Sequence, residues 1–227
     1  MLKPRKKLTK RELKQDKFVL ATLKAKDFLE ENSKIVTRSI LALVLLIVVV
    51  TFFIRSKQTA NLEAATMLGQ TQLILSQGQR SSAIDSLKLL IETYDGTQSS
   101  GKAAYILGKL YWEDNNFETA KAYLEKFIDS YSDKTVISQS ALALYADCLM
   151  NEGNISEAAK FYEKAAKINK QLPETPSLLF SAAECYKEAG NLKKAENLVN
   201  EIINKYEKSP VKSRAEILLE IIEYEKS

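Results

Sequence analysis

Apolar and polar positions follow three different rhythms along this chain. From Ser39 to Ile54 ("SILALVLLIVVVTFFI") no charge occurs between Arg38 and Arg55. The run is apolar on every side, as a helix surrounded by lipid must be and a helix resting on a protein core need not be. At ~1.5 Å per residue its sixteen residues span roughly 24 Å, short of the ~30 Å hydrocarbon layer. Adding Ile35 and Val36, with Arg38 snorkelling towards the headgroups, closes the gap and predicts a transmembrane helix over 35–55. A buried core helix is the weaker alternative. A cleaved signal peptide is another, but "RSKQTANLE" after Ile54 lacks a small-x-small cleavage site and the basic region is too long.

Residues 1–34 have a mixed rhythm. Thr9 to Glu12 fit a capping box and Leu8 with Leu13 a hydrophobic staple, so a helix is expected there. Its apolar residues fall on two sides: Leu13, Leu20 and Leu23 on one, Phe18, Ala25 and Leu29 on the other. After residue 60 the pattern repeats. Ala83, Ala120, Ala158 and Ala195 open similar helical stretches at spacings of 37, 38 and 37 residues. Upstream of each lies a first helix, as in Ala104-x-x-Leu107-Gly108-x-x-Tyr111, Leu142-x-x-Tyr145-Ala146-x-x-Leu149 and Leu179-x-x-Ala182-Ala183-x-x-Tyr186. The first unit, with Met67, Gln70, Thr71 and Ile74, is the poorest. Gly108, Ala146 and Ala183 are small where two helices of a hairpin must approach. Gly78, Gly153 and Gly190 stand where a helix must end in a left-handed residue.

This pattern resembles the tetratricopeptide repeat, in which helical hairpins stack into a solenoid. The resemblance implies an all-α fold of one transmembrane helix followed by about four hairpins. The units lie near 60–97, 98–135, 136–172 and 173–209, with a capping helix at 210–226, so the repeat domain is 60–227. The joints after Tyr94, Tyr131 and Tyr206 carry a Ser/Thr shortly afterwards, like those of bacterial envelope repeat proteins, and Thr175-Pro176 and Ser209-Pro210 read as helix-starting pairs.

Charge sharpens the topology. Residues 1–38 hold 12 Lys/Arg against 5 Asp/Glu, and residues 39–227 hold 21 against 24, which together make the net +4. The basic side of a span stays in the cytoplasm. The expected location is therefore a bacterial inner membrane crossed once, with a cytoplasmic N-terminus and a periplasmic or extracellular repeat domain. Residues 1–34 then either contact anionic lipid or only enforce topology, and no specific nucleic-acid signal is present.

Candidate chemistry changes little. The chain has no histidine, the commonest general base and metal ligand. "WEDNN" (Trp112–Asn116) lacks the alternating oxygens, central glycine and closing Glu of a calcium loop, and reads instead as a corner between helices. Cys148 and Cys185, in equivalent places of adjacent first helices, suit small buried hydrophobes better than a disulfide. No catalytic, cofactor or metal site is expected.

In a tetratricopeptide-type solenoid the first helices line a concave groove. The implied groove residues are Leu68, Gln72 and Leu75; Tyr105, Lys109 and Trp112; Ala143, Asp147 and Met150; and Phe180, Glu184 and Lys187. Aromatic, Met and aliphatic side chains there suit an extended apolar segment or a partner helix; the alternative is that they pack under neighbouring helices. One basic-in anchor and an exported repeat domain also resemble the YfgM-like ancillary subunits of the SecYEG translocon. That resemblance implies translocon, envelope-chaperone or exported-chain partners. A scaffold for envelope assembly or division complexes is the alternative.

Overall fold

The structure, a computed structural model, describes residues 10–131 and 135–227, with side chains from residue 17 onwards. The expected capping box at Thr9, its staple and Ser132–Lys134 of the second joint lie outside the described residues. Ten helices and no strand occur among the described residues. The chain divides into two compact units at Gln58/Thr59.

The first unit holds α1 (Lys10–Glu31) and the start of α2 (Ser33–Ser76). Among the described residues α2 is the one helix long and apolar enough to cross a membrane, with a mean hydropathy of 2.6 over its most apolar window and none of that window buried. Ile40 to Ile54 all leave their apolar side chains exposed.

In the second unit the end of α2 pairs with α3 (Arg80–Thr93). Then come α4 (Gln98–Glu113) with α5 (Phe117–Ser130), α6 (Val136–Asn151) with α7 (Ile155–Ile168), α8 (Thr175–Glu188) with α9 (Leu192–Lys205), and α10 (Lys212–Lys226) over the end. The apolar period predicts these helices because it gives each a buried stripe, and the four repeat alanines, Ala83, Ala120, Ala158 and Ala195, are fully buried in them.

Every hairpin corner closes the same way. The residue after each turn donates its backbone N–H to the carbonyl five residues earlier: Gln79 to Ile74, Asn116 to Tyr111, Asn154 to Leu149 and Asn191 to Tyr186. This Schellman closure requires a left-handed residue just before the donor. Gly78, Gly153 and Gly190 supply φ of 79°, 78° and 76°, and Asn115 supplies 58°. Asn is the side chain that tolerates that region best. The "EDNN" corner is thus a glycine corner built with asparagine, and Asn116 then caps α5 by accepting from the Thr119 N–H.

The helices also approach as closely as their small residues imply. A Cβ on Gly108 would stand 2.7 Å from Leu124 Cγ and 3.2 Å from the Leu124 backbone nitrogen. The joint tyrosines fasten one joint to an earlier segment. Tyr131 Oη accepts from the Gly96 N–H at 2.8 Å and donates to Asp95, Tyr206 donates to the Lys170 carbonyl, and Tyr94 donates to Glu63. The Tyr131 ring lies where Gly101 has no side chain, 2.4 Å from a hypothetical Cβ, a pairing the repeat pattern did not reveal.

Of the two expected helix-starting pairs, Thr175-Pro176 opens α8 and Ser209-Pro210 does not open α10. Thr175 is the first residue of α8, and its hydroxyl turns inward, donating to the Asn169 carbonyl and accepting from the Gln139 amide. Ser209 and Pro210 form a turn ahead of α10, which begins at Lys212.

Candidate partner-binding surface

The first helices of the second unit are the end of α2, then α4, α6 and α8, with α10 following as an unpaired fifth. Helix α4 packs on α6 and α8 on α10, so each neighbour covers part of the preceding helix. The expected groove residues divide accordingly.

Two are withdrawn from any partner. Leu68 and Phe180 are buried at 7% and 5% exposure in the apolar core. Phe180 is lidded by α10, with the Arg214 guanidinium 4.3 Å above its ring. The rest of the fourth set is engaged by the same helix. Arg214 reaches Glu184 at 3.7 Å and Lys187 reaches Glu225 at 3.2 Å. Burial pushes the Glu184 carboxyl above the usual range, and Arg214 and Lys187 oppose the shift.

The third set is half-open. Asp147 turns towards α7 and accepts from the Tyr162 hydroxyl. Burial raises its carboxyl above the usual range despite that hydrogen bond. Met150 Sδ accepts from the Cys185 thiol at 3.3 Å, and Ala143 and Met150 keep part of their surface. Cys148 and Cys185 are buried free thiols, pushed up to about 12 and about 11 by burial, as small core residues should be.

The second set and the end of α2 are the most accessible. Lys109 and Gln72 are exposed, while Leu75, Tyr105 and Trp112 are half-buried. Tyr105 packs on Phe127 and donates to Ser140 on α6 at 2.9 Å, which fixes its ring. Trp112 packs on the core while its buried indole N–H has no acceptor. Beside it Arg80, at the start of α3, forks onto Glu113 at 3.0 Å and Asp114 at 2.9 Å and also reaches the Leu110 carbonyl. The acidic corner therefore serves to hold hairpin one to hairpin two. Arg80 was not singled out from sequence, and its only signal was a lone cation next to the first corner glycine.

Among the described residues no group of His, Cys, Asp or Glu could hold a metal ion.

Comparison with known proteins agrees with the helical pattern. The family model described as a tetratricopeptide repeat-like domain matches residues 26–171. A tetratricopeptide repeat protein from Parabacteroides merdae superposes with a TM-score of 0.59 at 17% identity, covering 71% of this chain and 60% of that one. YrrB, described as a tetratricopeptide repeat protein with an unusual peptide-binding site, gives 0.57 at 14%, covering 70% and 76%. A Podospora anserina putative kinesin light chain repeat protein gives 0.53 at 14%, covering 70% and 84%. At these identities the likeness is one of fold. A search of the curated proteins found no match.

Proposed function

The chain belongs to the tetratricopeptide repeat-like family, and from that premise we propose that it is a single-pass membrane protein whose exported repeat domain binds protein partners. Domains of this family generally serve as protein-binding scaffolds rather than enzymes. The observation that carries the reading is the accessible strip of Leu75, Tyr105, Lys109 and Trp112, whose rings are positioned by the fold and which keep part of their surface open. The span is residues 35–55, and the basic segment before it stays in the cytoplasm, near anionic lipid. The role is that of an accessory factor beside the secretion translocon, taking an exported chain or an envelope chaperone on the strip. A scaffold for envelope or division machinery is the second reading, since the same strip can hold a fixed partner.

A photo-crosslinker in place of Lys109 tests it, with a control in place of Lys160 on an exposed second-helix face. Capture of exported chains, chaperones or translocon subunits at 109 and not at 160 supports the secretion role. Capture of division proteins alone at 109 moves the role to the scaffold. Equal capture at both positions, or none, removes the strip as a binding surface. A C-terminal alkaline phosphatase fusion reads topology separately, and an inactive fusion overturns the exported placement.

A further inference from the structure

The first unit poses a question the repeats do not. Its helix α1 leaves large apolar side chains in the open, with Phe18 71%, Phe28 61% and Leu29 50% exposed. Two of them, Phe18 and Leu29, share one strip. Stepping alternately four and three residues from Phe18 meets Thr22, Ala25 and Leu29, the spacing of a helix seam that faces another helix. The same steps continue through Asn32, Val36, Ser39 and Leu43 and into the uncharged run as far as Val50.

The two helices meet at Asn32, a turn residue between them. Its N–H donates to the Phe28 carbonyl at 3.0 Å, and its carbonyl accepts from the Val36 N–H at 2.9 Å and also from the Ile35 N–H at 2.9 Å. Every charged residue from Lys17 to Arg38 falls off this seam: Lys24, Asp27 and Glu30, for example, share the other sides with Leu20 and Leu23. A neighbouring strip through Ala21, Ala25, Phe28, Asn32 and Ile35 is equally free of charge. The two share Ala25, Asn32 and Ser39, so together they make one face, centred on those shared residues, that is clean both outside and inside the apolar run.

We propose that this face is the contact with a second copy of the same chain, two α1–α2 segments running parallel and in register. A parallel self-pair sets every seam residue against its own copy, so one charge anywhere along it would meet a like charge in an apolar contact. From Phe18 to Val50 there is none. Asn32 is the seam's one carboxamide. Its Nδ2 donates to the Phe28 carbonyl, which leaves a second amide hydrogen and Oδ1 for the other copy. A carboxamide both donates and accepts, so it pairs with itself and penalises any shift of register. Ala25 and Ser39 are small and let the two backbones approach.

The parallel direction rests on the membrane reading, since two single-pass chains with basic N-terminal segments insert the same way. Cysteine crosslinking of the full chain in membranes tests the pairing, with Ala25→Cys and Ser39→Cys on the seam and Leu23→Cys and Lys34→Cys off it. Because a disulfide needs Cα atoms within ~7 Å, the seam variants should form a dimer of twice the chain's mass about tenfold faster than the others under mild copper oxidation. Equal rates at all four positions, no dimer at any, or adducts of a different mass at the seam overturn the self-pair. Alkaline carbonate extraction, run in parallel, separates this from the membrane reading. A chain retained in the pellet without periodic crosslinks sinks the seam alone. A chain that washes out yet crosslinks only at 25 and 39 sinks the membrane reading and keeps the pair.

Discussion

Helices α4 and α8 occupy the same place in their hairpins and meet opposite fates. Tyr105 and Phe180 stand at equivalent positions, as do Lys109 and Glu184, and Trp112 and Lys187. On α4 they keep accessible surface, and on α8 they are covered or salt-bridged by α10. Residue type does not decide the difference, since an aromatic leads both sets. The helix that follows decides it. α6 brings small Ser140 beside Tyr105, whereas α10 brings Arg214 over Phe180. A repeat position therefore keeps accessible surface where its successor is small enough to leave it open.

Truncating the two aromatics gives the largest contrast. Phe180→Ala empties a buried space and should cost about 3–5 kcal/mol. Tyr105→Ala removes a half-exposed ring and one hydrogen bond and should cost about 1–2 kcal/mol. Urea midpoints of the two variants measure this directly. Equal losses would mean that α10 does not cover the fourth set as described.

Much of this architecture is legible in the sequence because it depends on short-range rules. The helical period, the glycine corners and the alanine register are all local, and the Asn115 corner can be read from the 37- and 38-residue spacing alone. The groove set was less legible. Whether Leu68 or Phe180 shows a face depends on helices distant in sequence, and no spacing rule reports what they place above it. Thr175 illustrates the same limit. As a helix-start residue it is ordinary, yet the buried Gln139 amide, which donates to the Ala165 carbonyl and to its hydroxyl, draws it inward. Gly101 reads as a weak helix residue until the Tyr131 ring is seen to fill its place.

A second contrast lies where the paired helices touch. α4 carries Gly108 and α8 carries Ala183 at the same register. Gly108→Ala drives a methyl to 2.7 Å from Leu124 Cγ, and the nearby Leu124 backbone cannot yield without moving α5. The overpacking should cost about 1–3 kcal/mol, although alanine is the better helix former. Ala183→Gly loses helix propensity and a buried methyl without any clash, for about 1–2 kcal/mol. Thermal unfolding of the pair distinguishes them: a stabilised Gly108→Ala would show that the second hairpin is looser than the close approach implies.

The smallest expected effect lies between the open and the covered helix, at Asp147 on α6. Its carboxyl is raised by burial while Tyr162 donates to it. A carboxylate whose folded pKa exceeds its unfolded value of ~3.9 destabilises the fold once ionised, so its penalty is absent below that value and complete above the raised one. Asp147→Asn keeps an acceptor for the Tyr162 hydroxyl and cannot ionise. Its melting temperature should therefore exceed that of the parent at neutral pH, and the gap should close as pH falls through the folded-state pKa towards ~4. An unchanged gap across that range would assign the effect to packing. A lower melting temperature at neutral pH would mean that the ionised carboxylate, rather than the hydrogen bond alone, holds α6 to α7.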